Sequence, residues 1–386
     1  MQALSCLKLK KGKEKPILQY HHWIYSGAVA SLPSGTIAEV ESFENQKLGI
    51  ALLNPGHSIA AHMIAFGDET LEEALQERIQ TAAGLRKIWF NPKMTNAVRL
   101  INAEGDRLPG LIVDQYDDVL VLQISHPALE SLKEKIICLL AEEFRPFAIY
   151  EKSTSFLRKK SGMQEARSLL FGKEKSEVEV LENGLKFSVD LQTGQKTGFF
   201  LDQREMRSCV REYANQRRVL NGFAYTGGFS VAALAGGATH VDSVEISARC
   251  KERFEKNLAL NGLQSAHWIE ADFFDFLKTD PLDYDLIILD PPAFVKKRSD
   301  IANGFRAYKE LNRLVLAKMR SGSLLLSCCC SYHVDETLFQ NILFRAAIEA
   351  HRSLQILGRH RLALDHPISI FHPESAYLKS FLLYVR

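Results

Sequence analysis

Val219-Leu220-Asn221-Gly222-Phe223-Ala224-Tyr225-Thr226-Gly227-Gly228-Phe229-Ser230 reads as a strand, a glycine-containing turn and the start of a helix. Gly222 and the Gly227-Gly228 pair let the backbone approach a ligand closely at that turn. From about Asn183 onward the pattern repeats. Val219 to Phe223 and His240 to Glu245 read as strands, Phe229 to Leu234 and Ala248 to Leu260 as helices, and Tyr377 to Val385 closes the chain as an apolar strand. Strands alternating with helices predict an α/β fold with a doubly wound, mostly parallel sheet covered on both faces.

The turn lacks the G-x-G-x-x-G of a dinucleotide loop and the G-K-[ST] of a phosphate-cradling loop, so it suits a ligand with an amino-acid end better than a pyrophosphate. The following strand ends bear this out in their residue types. Glu245 ends the next strand, where an acid can take two ribose hydroxyls. His267 to Ile269 leads into Asp272 and Phe273, an acid and a ring suited to an adenine edge and face. Tyr284 to Leu289 then closes at Asp290-Pro291-Pro292, with Phe294 just beyond. Two prolines remove two backbone donors and fix two φ angles, giving a stiff turn that presents an acid and an aromatic face to a flat substrate such as a nucleobase. Each acid alone also reads as a helix cap. Taken together, Phe223, Tyr225 to Phe229, Glu245, Asp272, Phe273 and Asp290 favour S-adenosylmethionine over NAD.

A chain of 386 residues is long enough for two or three domains at ~150 residues each. Its 46% hydrophobic content supports sizeable cores and excludes a disordered or fibrous protein. No apolar run approaches the ~18 residues of a membrane span, and Met1-Gln2-Ala3 leads into a lysine-rich strand pattern, so the reading is a cytoplasmic protein with no membrane partner. Cys328, Cys329 and Cys330 stand in a row among seven cysteines, which is no disulfide framework. They also lack C-x-x-C spacing, and no metal is expected. With a net charge of only +2, any nucleic-acid binding must come from local patches.

Two such patches lie upstream. Lys8, Lys10, Lys11, Lys13 and Lys15 precede His21-His22-Trp23-Ile24-Tyr25-Ser26-Gly27, and Ile37 to Val40 and Leu48 to Leu53 are strand-like, which together predict a small β-barrel with a basic, aromatic entrance. A lysine edge that discourages strand pairing is the other reading. The second patch is Phe156-Leu157-Arg158-Lys159-Lys160. Between them lie helical spacing from Glu69 to about Trp89 and from Leu129 to Glu143, and strands at Leu111 to Val113, Val119 to Ile124, Phe147 to Tyr150 and Phe187 to Val189. That mixture predicts an α+β middle domain. The division is residues 1–70, 71–182 and 183–386, with the last boundary in the charged connector between Lys173 and Gly184.

Gly194-Gln195-Lys196-Thr197-Gly198-Phe199-Phe200-Leu201-Asp202-Gln203-Arg204, Tyr225-Thr226-Gly227-Gly228-Phe229, Asp290-Pro291-Pro292, Arg306-Ala307-Tyr308-Lys309-Glu310-Leu311-Asn312 and Cys330-Ser331 together resemble the RlmI-like ribosomal RNA large-subunit methyltransferases. His22 to Gly27 is similar to the entrance of that family's PUA domain, an RNA-binding β-barrel, and Asn102 to Asp106 with Pro109 to Asp114 resembles its middle domain. The resemblance spans essentially the whole chain. It implies a PUA barrel, a small α+β domain and a Rossmann-like class I methyltransferase domain, S-adenosylmethionine as cofactor, 23S ribosomal RNA as partner, and a homodimer as one assembly. It also implies a cofactor role for Asp202, Gln203 and Arg204.

The resemblance points to cytosine C5 as the methylated atom, with Cys330 adding covalently to the base, Asp290 on its Watson–Crick edge and Phe294 and Pro291 against its face. Lys11, Trp23, Arg158 and Lys159 are then the candidate RNA contacts. Two departures keep other readings open. Ala293 stands where the 5-methylcytosine members carry lysine, and Ser331-Tyr332-His333-Val334 replaces their Ser-Gly continuation. Relatives with the same domain order methylate guanine N7, which needs no thiol, and a non-catalytic RNA-binding assembly module is the alternative from a different class.

Overall fold

The computed structural model describes residues 4–155, 158–159, 161–192, 194–359 and 362–386. The chain divides into two units: residues 1–181, 189–201 and 364–375 form one, and residues 182–188, 202–363 and 376–386 the other. The segments 189–201 and 364–375 thus leave the sequence order to join the first unit.

The first unit holds two larger sheets, and a two-stranded pair, Glu177–Glu182 with Leu185–Asp190, has residues in both units. Six strands run in the order Trp23–Tyr25, Ile59–Phe66, Lys47–Leu53, Ile37–Glu41, Ser5–Leu9 and Val29–Ser31. Ser5–Leu9 and Ile37–Glu41 pair parallel, and alternate residues Leu7, Leu9, Ala38 and Val40 are fully buried with Leu53 and Met63. The second sheet orders Ala166–Gly172, Ala148–Ser153, Val119–Ile124, Leu111–Tyr116 and Ala97–Asn102. Leu71–Trp89 forms the predicted long helix, started by a capping box in which Thr70 and Glu73 satisfy each other's backbone N–H groups. The second predicted helix is broken: Pro127–Glu130 and Lys133–Phe144 are separate because Leu132 leaves helical geometry. Ile79, Leu100, Val113, Leu122 and Ile136 share the core of this α+β part.

The second unit is built on a seven-stranded sheet. Its strands are β1 (Arg218–Gly222), β2 (His240–Glu245), β3 (Ala266–Glu270), β4 (Leu286–Leu289), β5 (Leu324–Cys329), β6 (Leu354–Arg359) and β7 (Lys379–Val385). They run in the order β3-β2-β1-β4-β5-β7-β6. All pairs from β3 to β5 are parallel, and β7 enters antiparallel to both β5 and β6. The buried strands Leu286-Ile287-Ile288-Leu289 and Leu324-Leu325-Leu326 carry the continuous apolar runs expected where both faces are covered. Helices α1 (Arg204–Tyr213), α2 (Gly228–Ala235), α3 (Lys251–Leu260), α4 (Phe273–Thr279), α5 (Ile301–Lys318) and α6 (Glu336–Glu349) connect them. This is a Rossmann-like sheet with its order reversing at β1/β4, the point where ligands bind in such folds. No described helix is long and apolar enough to cross a membrane.

Candidate active site

The β1 turn is held in an unusual backbone shape. Phe223 (φ 62°), Tyr225 (φ 49°) and Gly227 (φ 79°) all lie in the left-handed region. At Gly227 a side chain is excluded twice over, by φ and because a Cβ would stand 2.4 Å from the Phe254 ring. Gly222 is as tightly determined: a Cβ there would meet the Phe273 ring at 2.5 Å. Phe273 is accordingly part of the core, with its ring 4.9 Å from that of Phe223. Buried Asn257 of α3 clamps the same turn, donating to the Thr226 carbonyl at 2.9 Å and accepting from Ser188 N–H at 2.8 Å.

Glu245 closes β2 and turns its carboxylate back on the loop. One oxygen accepts from Tyr225 N–H and the other from Ser247 N–H, both at 2.9 Å. A carboxylate has about four acceptor sites, so two remain for hydroxyl donors. Asp272 caps α4, accepting from Phe274 N–H at 2.8 Å and Asp275 N–H at 3.2 Å, and its side chain is exposed. Asp202, Gln203 and Arg204 are all buried at the start of α1. Tyr377 donates to Asp202 at 2.5 Å, and Arg204 lies 3.6 Å from Glu182, which also takes a two-bond ion pair from Arg207. The side-chain oxygens of Gln203 and Asn221 are buried with no hydrogen-bond partner among the described residues. Buried acceptors of this kind, with the spare capacity of Glu245, fit a cofactor that brings amino and hydroxyl donors.

Asp290 and Cys330 leave the ends of the neighbouring parallel strands β4 and β5, whose register pairs Leu289 with Ser327. The Cys330 thiol reaches the Pro291 carbonyl at 3.5 Å, so thiol and Asp290-Pro291-Pro292 turn meet. The turn is pinned from behind. Ser331 Oγ accepts from Val295 N–H at 3.1 Å and bonds the Tyr308 hydroxyl at 2.9 Å, and Tyr308 also accepts from Phe294 N–H at 3.4 Å. The half-buried Phe294 ring leans on Tyr308 with centroids 4.6 Å apart. Buried Asn312 joins α5 to β5 through a bond from Ser327 Oγ at 2.7 Å.

The three consecutive thiols have different surroundings. Burial pushes Cys328 well above the usual thiol range, with the Asp290 carboxylate adding to the shift and hydrogen bonds from Ser380 and Gln203 opposing it. Burial also raises Cys329, against the pull of the Lys379 ammonium. Both are held as inert thiols. Cys330, past the strand end, is half-exposed. Lys379 is buried, donates to the carbonyls of Ser331 and Tyr377 at 2.7 Å each, and is itself lowered by burial, with Cys329, Cys330 and Asp335 holding its proton on. Sequence reasoning did not single out Lys379, Tyr377 or Asn257. Lys379 opens, and Tyr377 leads into, a strand whose antiparallel insertion is non-local, and only the burial of an asparagine on an amphipathic helix could have marked the third.

The remaining candidates lie in the first unit. Lys11 is exposed in a turn. Trp23 donates from its indole to Glu104 at 3.3 Å. Arg158 is buried, bonding the Ile124 carbonyl at 3.0 Å and Glu130 at 2.9 Å with Glu151 at 3.5 Å, while exposed Lys159 pairs with Glu165 at 2.7 Å. Phe156, Leu157 and Lys160 of that patch lie outside the described residues. The Gly194 to Phe200 motif is tied by Thr197, which donates to Asp114 at 2.6 Å and bonds the Tyr116 hydroxyl at 2.9 Å.

Comparison with known proteins agrees with this geometry. A family profile described as S-adenosylmethionine-dependent methyltransferase matches residues 119–373, and one described as a PUA-like domain matches residues 7–66. The chain is 38% identical to the ribosomal RNA large subunit methyltransferase I of Yersinia pseudotuberculosis, over 97% of this chain and 98% of that one. SMU.776, a protein named as a methyltransferase and crystallised with SAH, superposes with a TM-score of 0.87 at 25% identity, covering 98% of this chain and 100% of its own. A protein from Streptococcus mutans named as SAM-dependent methyltransferase superposes with a TM-score of 0.86, also at 25% identity and over 98% and 100% of the two chains.

Proposed function

The chain belongs to the S-adenosylmethionine-dependent ribosomal RNA large subunit methyltransferase I family, and we propose that it methylates cytosine C5 in 23S ribosomal RNA through a covalent adduct at Cys330. The observation that carries this reading is the 3.5 Å approach of the Cys330 thiol to the Pro291 carbonyl. A nucleophile and a carboxylate at two adjacent strand ends are what attack on a flipped base requires.

S-adenosylmethionine supplies an electrophilic methyl group, and the residues proposed to hold it are Asp202, Gln203, Arg204, Phe223, Tyr225 to Phe229, Glu245, Asp272 and Asp290, with the buried Phe273 ring supporting the turn from the core. The chain's own part begins with the base. Asp290 accepts from the cytosine amino group and so fixes its edge, while Pro291 and Phe294 bound its face. The Cys330 thiolate forms a bond to C6, and the C5–C6 π pair moves onto C5, which turns a poor nucleophile into a good one. Once C5 is methylated, removal of its proton returns an electron pair to the C5–C6 bond and expels the thiolate. Lys379 supports the reading because a buried ammonium beside the thiol favours the thiolate.

The proposal takes residues 1–70 as the PUA-like barrel, 71–182 as the middle domain and 183–386 as the transfer domain. Lys11, Trp23 and Lys159 are the residues proposed for RNA binding, while Arg158, buried against Glu130 and Glu151, holds the fold beside Lys159. The test is to incubate the protein and its Cys330→Ala variant with unmodified ribosomal RNA and S-adenosylmethionine and to identify the nucleoside by mass spectrometry. 5-Methylcytosine from the parent and none from the variant supports the reading. 7-Methylguanosine from both overturns the base and the mechanism together.

A further inference from the structure

Three potential metal ligands converge in the first unit, far in sequence from one another: His21 from the turn before Trp23–Tyr25, and His372 and Glu374 from the segment 364–375. His21 Nε2 is 3.5 Å from one Glu374 oxygen, His372 Nδ1 is 3.7 Å from the other, and the ligand atoms all fall within 4.8 Å of one another. Ligands at ~2.0–2.1 Å around a tetrahedral ion stand about 3.3 Å apart, so closing this set takes shifts of about 1.5 Å or less.

His372 is the second, independent sign. Its ring is fully buried, yet neither ring nitrogen has a hydrogen-bond partner among the described residues, and one Glu374 oxygen is likewise buried and unpartnered. A neutral imidazole has one donor and one acceptor to satisfy, and burying both unpaired leaves two desolvated polar atoms uncompensated. The Trp23 ring packs edge-on at 4.5 Å and supplies no polar partner. A cation bound to a ring nitrogen would answer half of that deficit directly.

His21 is arranged for the same task. Its Nδ1 accepts from Trp23 N–H at 3.2 Å and also lies 3.4 Å from the Trp23 carbonyl. With Nε2 on a metal, Nδ1–H turns to that carbonyl, the outer partner a ligating histidine usually has. Beside His21 and Glu374 opens a pocket of ≈ 550 Å³, lined also by Lys13, Trp23 and Tyr25.

We propose that His21, His372 and Glu374 form a binding site for one divalent transition-metal ion of the zinc type, with a coordination position left open to that pocket. Two imidazoles and a carboxylate suit such an ion and leave room for an exogenous ligand. The site departs from the metal-free expectation drawn from the cysteines, which looked at thiols alone.

The test uses the full chain, stripped with a chelator and dialysed. Co²⁺ is titrated while following its visible absorption, and Zn²⁺ affinity is read by competition with a chelating dye. The expected result is one ion per chain, with Zn²⁺ displacing Co²⁺. His372→Ala should weaken binding by more than about tenfold, the loss that even an outer partner of a metal ligand brings. The His351→Ala variant, at an exposed histidine, should leave binding unchanged. Should His372→Ala fail to fold, His21→Gln and Glu374→Gln read the same site. Absence of binding to the parent, or binding that none of the three variants weakens, overturns the proposal.

Discussion

The Cys330 thiol donates to the Pro291 carbonyl at 3.5 Å, so the end of β5 and the turn after β4 meet through one sulfur. The two neighbouring thiols cannot take its place, since burial raises both and turns them into the core. Cys328→Ala should therefore keep methyl transfer within a few-fold of the parent. Cys330→Ala should lower it by at least about a thousandfold, as loss of a covalent nucleophile does. Steady-state rates on ribosomal RNA fragments check both.

Lys379 is predicted to set the pH dependence of the reaction. Its ammonium favours a thiolate at Cys330, so Lys379→Met removes that help and should move the acid limb of the kcat/KM profile to higher pH. A merely structural role would lower the rate at every pH alike.

Gly227→Ala should weaken S-adenosylmethionine binding by more than about tenfold, because φ of 79° and a Cβ 2.4 Å from Phe254 force the turn to move. Asn257→Ala acts on the same turn from the other side, removing the bonds to the Thr226 carbonyl and from Ser188 N–H, with about 2–4 kcal/mol lost from stability. Calorimetric titration and urea denaturation separate the two effects.

His126 provides a stability test in the first unit. Its ring is buried, accepts from Ala128 N–H at 3.2 Å, and burial holds its pKa down from 6.5 to about 4. Between those values the unfolded chain binds a proton that the folded chain refuses. Its contribution is thus fully present above pH ~6.5 and lost as pH falls to about 4, on the order of 3 kcal/mol in all. His126→Asn keeps a capping oxygen and should flatten the pH dependence of the denaturation midpoint over that window.

Much of this molecule was legible from local pattern. Val119–Ile124 and His240–Glu245 end where their apolar periodicity ends, and the strand-end acids of the second unit follow from the alternation of elements. What local pattern cannot carry is pairing between distant residues. The predicted helix over 129–143 breaks at Leu132. Segment 364–375 joins a unit some 200 residues earlier in the chain. Arg158 reads as a surface cation but meets Glu130 and Glu151, partners invisible at its own position. Phe273 reads as a face for an adenine, and the bare Gly222 opposite it is what lets the ring pack into the core.

The most direct test of the central claim is to trap the bond at Cys330. Ribosomal RNA carrying 5-fluorocytidine has no C5 proton to lose, so after methyl transfer the thiolate cannot be expelled. Incubation with S-adenosylmethionine should yield a denaturation-resistant protein–RNA adduct whose peptide mass maps the attachment to Cys330, and which Cys330→Ala does not form. Turnover of natural RNA to 5-methylcytosine with no adduct on the fluorinated substrate, or an adduct at another residue, would contradict the account.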